Sequence, residues 1–197
     1  MKQLVVFASG SGSNFQSIIN AVQNGQINAR VAGLVSNNAD AYSVERALKN
    51  DIPFIVLNPL QFESEADYIK ELLQQLANWK ADILILAGYL KKIPLSVIEA
   101  YPKRILNIHP SLLPKYGGKG YYGMNVHKAV IEAKEKESGC TVHLVSKEYD
   151  DGPILGQAVI TVHENETPEE LAQRVLNQEH KLYPVIIQQY IETINNS

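Results

Sequence analysis

Residues 105–114 read Ile-Leu-Asn-Ile-His-Pro-Ser-Leu-Leu-Pro, a stretch in which two polar side chains, Asn107 and His109, alternate with apolar ones. The apolar residues at the start of this stretch predict a buried strand over 105–109. Because side chains alternate along a strand, Asn107 and His109 point to the same side. Pro110 cannot donate a backbone hydrogen bond to a sheet, so both polar side chains lie at the carboxyl end of the strand. In open α/β sheets that end is where ligands bind.

An amide and an imidazole at one strand end have a chemistry that suits acyl transfer. Asn107 can donate a hydrogen bond to an oxyanion, and His109 can move a proton. A structural interpretation is also open, in which the Asn caps a turn and the His is a core residue whose hydrogen bonds are satisfied. The rest of the chain has to decide between the two interpretations.

Apolar strand-like and amphipathic helix-like stretches alternate through the first half of the chain. Strands are expected at residues 4–8, 31–36, 54–57, 83–87 and 105–109, and helices at 14–24, 42–49, 63–77 and 95–100. Such alternation builds parallel βαβ units, and strands that are almost entirely apolar need helices on both faces of the sheet. The sequence therefore predicts a single α/β domain over residues 1–197, with a mostly parallel, twisted sheet covered by helices on both faces.

The regular alternation of strands and helices ends after the strand at 105–109. A helix is expected at 126–136, and the charged residues 134–137 are interpreted as its solvated end. Two further strands, 141–145 and 154–161, are separated by a short acidic turn, which indicates an antiparallel pair. A last helix is expected to begin near Pro168, with Thr167 and Glu170 forming a capping box.

Composition limits the classes of function that fit this chain. The 197 residues are 45% hydrophobic and 20% charged, with a net charge of -3, so binding that depends mainly on nucleic-acid phosphates is not expected. Cys140 is the only cysteine, which excludes an internal disulfide. The longest apolar run, 81–90, contains Asp82 and is too short for a membrane span, and the run at 4–8 is too short for a signal peptide. We expect a cytoplasmic protein that binds no membrane.

A glycine-rich turn, Ser-Gly-Ser-Gly-Ser-Asn at residues 9–14, joins the first strand to the first helix. Glycines allow close approach of the backbone to a ligand, and a helix N-terminus attracts anions, so the turn is a candidate phosphate cradle. The Lys of a mononucleotide P-loop is absent, and Phe15 stands where a dinucleotide-binding turn needs its third glycine. A tight turn that binds nothing remains an alternative.

Two acidic residues are candidates for a site, although each has a simpler interpretation. Asp150 lies in an acidic turn, where Asp is common for conformational reasons, but its carboxylate could also approach His109 and stabilise the charged imidazole. Glu179 falls within an apolar helical stripe, where it needs a polar substrate or a Lys or Arg partner unless it is exposed. The remaining histidines lack the spacing of metal ligands, and we predict no metal.

Taken together, these motifs resemble the phosphoribosylglycinamide formyltransferase family of folate-dependent enzymes. The resemblance covers nearly the whole chain. It rests on the segments 9–14, 36–41, 86–89, 107–114, 150–153 and 178–180. It implies a Rossmann-like formyltransferase fold and transfer of the formyl group of 10-formyltetrahydrofolate to the glycine amine of phosphoribosylglycinamide in purine synthesis. It also implies small-molecule substrates, no metal, and a monomer or weak homodimer.

The resemblance assigns roles to particular positions of this sequence. By position, the catalytic residues are Asn107, His109 and Asp150. The phosphoribosylglycinamide-binding residues are Gly12, Ser13, Asn14, Leu176, Asn177, Gln178 and Glu179. The folate-binding residues are Leu90, Lys91, Lys92, Ile93, Asn107, Ser146, Lys147, Glu148, Tyr149 and Asp150.

The sequence departs from the family pattern at a few of these places. Glu65 and Lys91 stand where arginines are common in the family, and Lys91 cannot supply a bidentate fork. The loop 116–122 also differs from the usual form. Other formyl-group enzymes carry an additional domain that is not expected here, and a non-catalytic phosphate-binding module is the alternative from another functional class.

Overall fold

A seven-stranded sheet forms the centre of the protein, for which a computed structural model describes residues 1–195. The strands are β1 Lys2–Ala8, β2 Ala29–Ser36, β3 Phe54–Val56, β4 Ile83–Leu86, β5 Ile105–His109, β6 Glu137–Leu144 and β7 Ile154–Thr161. The helices are α1 Ser13–Gln23, α2 Tyr42–Lys49, α3 Glu65–Asn78, α4 Leu95–Ala100, α5 Met124–Glu132 and α6 Pro168–Asn195, with a short 3-10 helix at Pro59–Gln61.

Helices cover both faces of the sheet because alternate side chains of the central strand enter two separate cores. In β1, Leu4 and Val6 pack into the core that includes residues of α1, α5 and α6. Val5 and Phe7 face the opposite way and join the core that includes residues of α3 and α4. All four side chains are fully buried. This confirms the α/β fold with two covered faces, which the continuous apolar strands predict.

The strand order is β3-β2-β1-β4-β5-β6-β7, with parallel pairing from β3 to β5 and antiparallel pairing for β5-β6 and β6-β7. From β1 the chain builds outward in one direction to β2 and β3, and in the other direction to β4 and β5. The point where the order reverses, at the carboxyl ends of β1 and β4, is where open α/β sheets bind ligands.

The long C-terminal helix is anchored to this same edge of the sheet. Its capping box forms as predicted, since Glu170 accepts from the Thr167 N–H at 2.9 Å and donates its own N–H to Thr167 Oγ1 at 3.2 Å. Further along α6, the buried Tyr183 hydroxyl donates to the carbonyls of Leu86 and Leu106, both at 3.0 Å. That link holds α6 against the ends of β4 and β5. Within residues 1–195, no helix has both the length and the apolar character that a membrane crossing requires.

The region after β5 differs from the prediction in the bounds of α5 and β6. The helix expected at 126–136 ends at Glu132, and Lys134 adopts a left-handed conformation with φ of 54°. The interpretation of 134–137 as a solvated helix end is wrong, because Glu137 already begins β6, four residues earlier than expected. Beyond the helix end, the Glu135 carboxylate lies 3.0 Å from the Lys115 ammonium.

Candidate active site

A cavity of about 820 Å³ opens at the carboxyl edge of the sheet, a size typical of small-molecule sites. Its lining comes from the turn after β1, from the ends of β4, β5 and β6, and from α6. Asn107, His109 and Asp150 are all part of that lining, although 43 residues separate the first from the last. The fold therefore brings together the three polar residues that sequence reasoning selected.

Asn107 is held by an imidazole on the neighbouring strand. Asn107 and His143 are directly opposite in the antiparallel β5-β6 pair, and the Asn107 Nδ2 lies 3.1 Å from His143 Nε2. His143 Nδ1 lies 2.9 Å from the Leu144 carbonyl, which can only accept, so Nδ1 carries a proton. With Nδ1 protonated, the neutral ring accepts from the Asn107 amide at Nε2, and only the protonated ring can donate from Nε2 to the Asp150 carboxylate. The second N–H of that amide remains available to a ligand.

His109 is buried, with only 4% of its surface exposed. Its Nε2 donates to the Tyr116 carbonyl at 2.7 Å, and its Nδ1 lies 3.5 Å from Asp150 Oδ2. Burial lowers the pKa of His109, while the Asp150 carboxylate and the Tyr116 carbonyl act in the opposite direction. Because burial has the larger effect, the pKa lies below its usual value. The Asp150 carboxylate therefore raises the pKa of His109, as expected, but this effect alone does not keep the imidazole protonated.

Asp150 sits between two imidazoles in the loop that joins β6 to β7. Its Oδ2 accepts the Gly118 N–H at 2.9 Å, and its Oδ1 lies 3.5 Å from His143 Nε2. Burial raises the pKa of Asp150, but His143, His109 and the Gly118 N–H together outweigh it, so the carboxyl has a pKa below its usual value. Asp150 is therefore a fixed negative charge near neutral pH. Its backbone is left-handed, with φ of 54°, which aims the side chain back toward β5 and β6.

The glycine turn and α6 meet through a second carboxylate, which is buried. Glu179 is 7% exposed, and its Oε2 accepts from Asn14 Nδ2 at 2.6 Å. Burial raises the pKa of Glu179, and the Asn14 hydrogen bond opposes that effect. No Lys or Arg pairs with it in the described part of the chain, so its partner is the amide of the predicted phosphate cradle. Asn14 Oδ1 is also buried and has no partner.

Comparison with known proteins identifies the group to which this site belongs. Residues 2–187 match the family described as formyl transferase. A relative from Haemophilus influenzae, named phosphoribosylglycinamide formyltransferase, is 40% identical over 195 residues, which are 98% of this chain and 88% of the relative. The chain belongs to the phosphoribosylglycinamide formyltransferase family.

Other members of the phosphoribosylglycinamide formyltransferase family are similar in sequence and in structure. The Arabidopsis thaliana protein "Phosphoribosylglycinamide formyltransferase, chloroplastic" is 49% identical over 187 residues, or 94% of this chain. This chain spans only 64% of that relative's length. The solved structure of glycinamide ribonucleotide transformylase 1 from Symbiobacterium toebii superposes with a TM-score of 0.92 at 37% identity, covering 98% of this chain and 89% of that chain.

The cavity contains most, but not all, of the positions carried over from the formyltransferase family. Of the predicted binding residues, those that line it are Asn14, Leu90, Lys91, Lys92, Ile93, Ser146, Glu148, Tyr149, Leu176 and Glu179. Lys147 and Gln178 do not reach the lining, and Asn177 is exposed and pairs with Gln173 on the outer side of α6. Gly12 and Ser13 are not part of the lining either; Gly12 is the N-cap of α1 and Ser13 its first residue, between Ser11 and Asn14, which do line the cavity.

The sequence did not indicate two histidines that lie at this site. His143 contacts both Asn107 and Asp150, but its role depends on the β5-β6 register, which no local pattern shows. His127 of α5 also lines the cavity, and burial lowers its pKa to about 4, with a smaller contribution from His109. Within residues 1–195, no three His, Cys, Asp or Glu side chains are grouped so that they could hold a metal ion.

Proposed function

We propose that this protein transfers the formyl group of 10-formyltetrahydrofolate to the glycine amine of phosphoribosylglycinamide. The products would be formylglycinamide ribonucleotide and tetrahydrofolate, in the synthesis of purine nucleotides. The observation that carries the proposal is the convergence of Asn107, His109 and Asp150 on one cavity, in a chain of the phosphoribosylglycinamide formyltransferase family. Family membership alone gives the reaction class, and the convergence supplies groups able to perform it.

Asn107 is the proposed donor to the formyl oxygen. Attack by the amine turns the formyl carbon tetrahedral and places negative charge on that oxygen. The Asn107 amide has one N–H committed to His143, so its second N–H can serve the oxyanion without rotation of the side chain. One preorganised donor of this kind is worth about 3 kcal/mol of transition-state stabilisation.

His109 and Asp150 are the proposed proton carriers. In the free protein the lowered pKa leaves the imidazole mostly neutral near pH 7. An oxyanion forming beside it adds a second negative charge to that of Asp150, and together they raise the pKa of the ring as the intermediate forms. The ring can then hold the proton released by the amine and pass it to the departing folate nitrogen. Such positioned proton transfer contributes roughly 10²–10⁴-fold to the rate.

The walls of the cavity match the two proposed substrates. Asn14 and Glu179 offer an unpartnered amide oxygen and a carboxylate, which fit the hydroxyl and amine donors of a ribonucleotide beside the glycine turn. Leu90 and Ile93, with the tyrosine ring of Tyr149, provide an apolar surface that fits a pterin or benzoyl ring. Lys92 lies 5.1 Å from the Tyr149 ring centroid and offers a cation to the acidic tail of the folate.

Further features of the protein belong to the same proposal. We propose a single domain, a reaction that needs no metal, and a monomer or weak homodimer that binds neither nucleic acid nor membranes. The net charge of -3 supports the absence of a phosphate-backbone partner. We propose the cytoplasm as the compartment, which the single, buried and unpaired Cys140 supports.

An assay with purified protein, phosphoribosylglycinamide and 10-formyltetrahydrofolate tests the proposal. We expect amine-dependent formation of tetrahydrofolate, and loss of turnover with little loss of ribonucleotide binding in Asn107→Ala. Ribonucleotide binding without any transfer would point to a binding module. Formate release that does not depend on the amine would point to a hydrolase, and either result would overturn the proposal.

A further inference from the structure

Helix α2 packs directly against the back of the glycine turn. The Ser43 N–H donates to the Gly10 carbonyl at 3.1 Å, and Arg46 Nε donates to the Ser11 carbonyl at 2.9 Å. At Gly12, where φ is +66°, an added Cβ would lie 2.7 Å from Ser43 Cβ, so a side chain has no room there. Two consecutive carbonyls of the turn are therefore tied to one helix.

These two bonds fix the direction of the turn's N–H groups. In a trans peptide the carbonyl and the following N–H point in opposite directions. Because the Gly10 and Ser11 carbonyls face α2, the N–H groups of Ser11 and Gly12 face away from it. Ser11 and Asn14 line the cavity, whereas Ser43 and Arg46 do not, so the N–H groups point to the cavity side. The first N–H groups of α1 have no intrahelical acceptor and add to the same donor set.

Arg46 brings a positive charge that no carboxylate neutralises. Its Nη1 donates to Gln16 Oε1 at 3.1 Å, and its guanidinium lies 4.8 Å from the Tyr42 ring centroid. None of the ion pairs found among residues 1–195 includes it. Its field extends to α6, where the pKa of His180 is lowered first by burial and then by the Arg46 charge.

We propose that Arg46 is a positioning residue for the phosphate of the ribonucleotide substrate. It holds the Ser11–Gly12 peptide so that the Gly12 N–H faces the phosphate. Its unpaired positive charge also stabilises the bound phosphate dianion. The buried and unpartnered Asn14 Oδ1 in the same turn can only accept, so it is an independent sign that a ligand with hydroxyl donors, such as the ribose of a ribonucleotide, binds beside the phosphate. The inference rests on the proposed function, because it takes the phosphate of phosphoribosylglycinamide as the ligand.

Arg46→Gln tests this role with two substrates, phosphoribosylglycinamide and the same molecule without its phosphate. For the phosphorylated substrate we expect KM to rise roughly 10- to 100-fold with kcat nearly unchanged, the pattern for a lost binding interaction. For the phosphate-free substrate we expect kcat/KM to change by less than about threefold. Arg46→Lys keeps the charge but not the planar fork, and should fall between wild type and Arg46→Gln.

Lys49→Gln is the matched control, because it removes the same charge from the same helix. Lys49 Nζ lies 5.2 Å from the centroid of the same Tyr42 ring and pairs with Glu45, but it does not touch the turn. We expect wild-type kinetics from it. Thermal unfolding of each variant confirms that it is folded.

Distinct results would overturn the inference or the proposed function. Equal loss with both substrates in Arg46→Gln would make Arg46 merely structural, and no loss with either would remove it from the site. Absence of any formyl transfer by the wild type would instead contradict the proposed function. In that case, calorimetric binding of the ribonucleotide to wild type and Arg46→Gln still decides the role of Arg46.

Discussion

Two carboxylates, the partly buried Asp150 and the buried Glu179, mark two different corners of the same cavity. Asp150 is surrounded by two imidazoles and a backbone N–H, and its pKa is held below the usual value. Glu179 is buried and receives one hydrogen bond, from Asn14, and burial raises its pKa. Both acidic side chains line the cavity, yet their surroundings shift the two pKa values in opposite directions.

The difference separates chemistry from binding. A carboxylate that stays ionised beside His109 can stabilise a charge that appears only during the reaction. A buried carboxylate with few hydrogen-bond partners can accept further hydrogen bonds, and a polar ligand can donate them. We infer that the corner around Asp150 serves turnover and that the corner around Glu179 serves substrate affinity.

Asp150→Asn removes the charge at the chemical corner while keeping the shape of the side chain. We expect kcat to fall roughly 10²–10⁴-fold, because the imidazole loses the partner that stabilises its protonated form. KM for both substrates should change little. Steady-state kinetics measures this, and Asp151→Asn, an exposed neighbour, is the control that should behave as wild type. A rate close to wild type in Asp150→Asn would contradict the assignment of Asp150 to turnover.

Glu179→Gln makes the matching change at the binding corner. The amide oxygen can still accept from Asn14 Nδ2, but the charge available to the ribonucleotide is lost. We expect KM for phosphoribosylglycinamide to rise about tenfold, equivalent to about 1.4 kcal/mol, with kcat largely retained. Glu192→Gln, on an exposed turn of the same helix, controls for general effects on α6. A fall in kcat comparable to that of Asp150→Asn would mean that the two corners do not differ in role.

The smallest expected effect concerns stability and pH. Since the folded-state pKa of Glu179 is raised, its contribution to stability is present at low pH and is lost as pH rises from the unfolded pKa through the folded one. Glu179→Gln cannot ionise, so it should gain stability relative to wild type as pH rises above about 4.5. Each unit of difference between the two pKa values is worth about 1.4 kcal/mol.

Urea unfolding of wild type and Glu179→Gln at pH 5 and pH 8 measures that difference. For Asp150 the sign is reversed, because its pKa is lowered and its contribution is lost as pH falls. A stability difference between wild type and Glu179→Gln that stays constant with pH would contradict the assigned environment of Glu179.

Much of the fold could be predicted because local patterns determine it. The structure reproduces the predicted bounds of β5, α2, α4 and β7, where apolar runs end at proline, glycine or capping residues. The predicted start of β6 was wrong because residues 134–137 have the charged pattern of an exposed helix end, whereas Glu137 pairs with Thr161 of β7 and begins the strand. Tertiary pairing overrode local propensity there.

The residues of the candidate site also fall into two groups, those that local sequence patterns predict and those that depend on tertiary structure. Asn107 and His109 follow from strand alternation and a proline, which are local signals. The placement of Asp150 beside them required the resemblance to a family, since its own turn is equally consistent with a structural role. His143 could not be found from sequence because it depends on which residue of β6 lies opposite Asn107, and Arg46 because it depends on α2 packing behind the turn.

The central claim is that His109 and Asp150 act as one unit on one reacting carbonyl, and a double-mutant cycle in kcat tests it most directly. We expect His109→Ala and Asp150→Asn each to lose roughly 10²–10⁴-fold, and the double variant to lose little more than the worse single one. Losses that multiply in the double variant would contradict the account, because they would show two residues contributing independently.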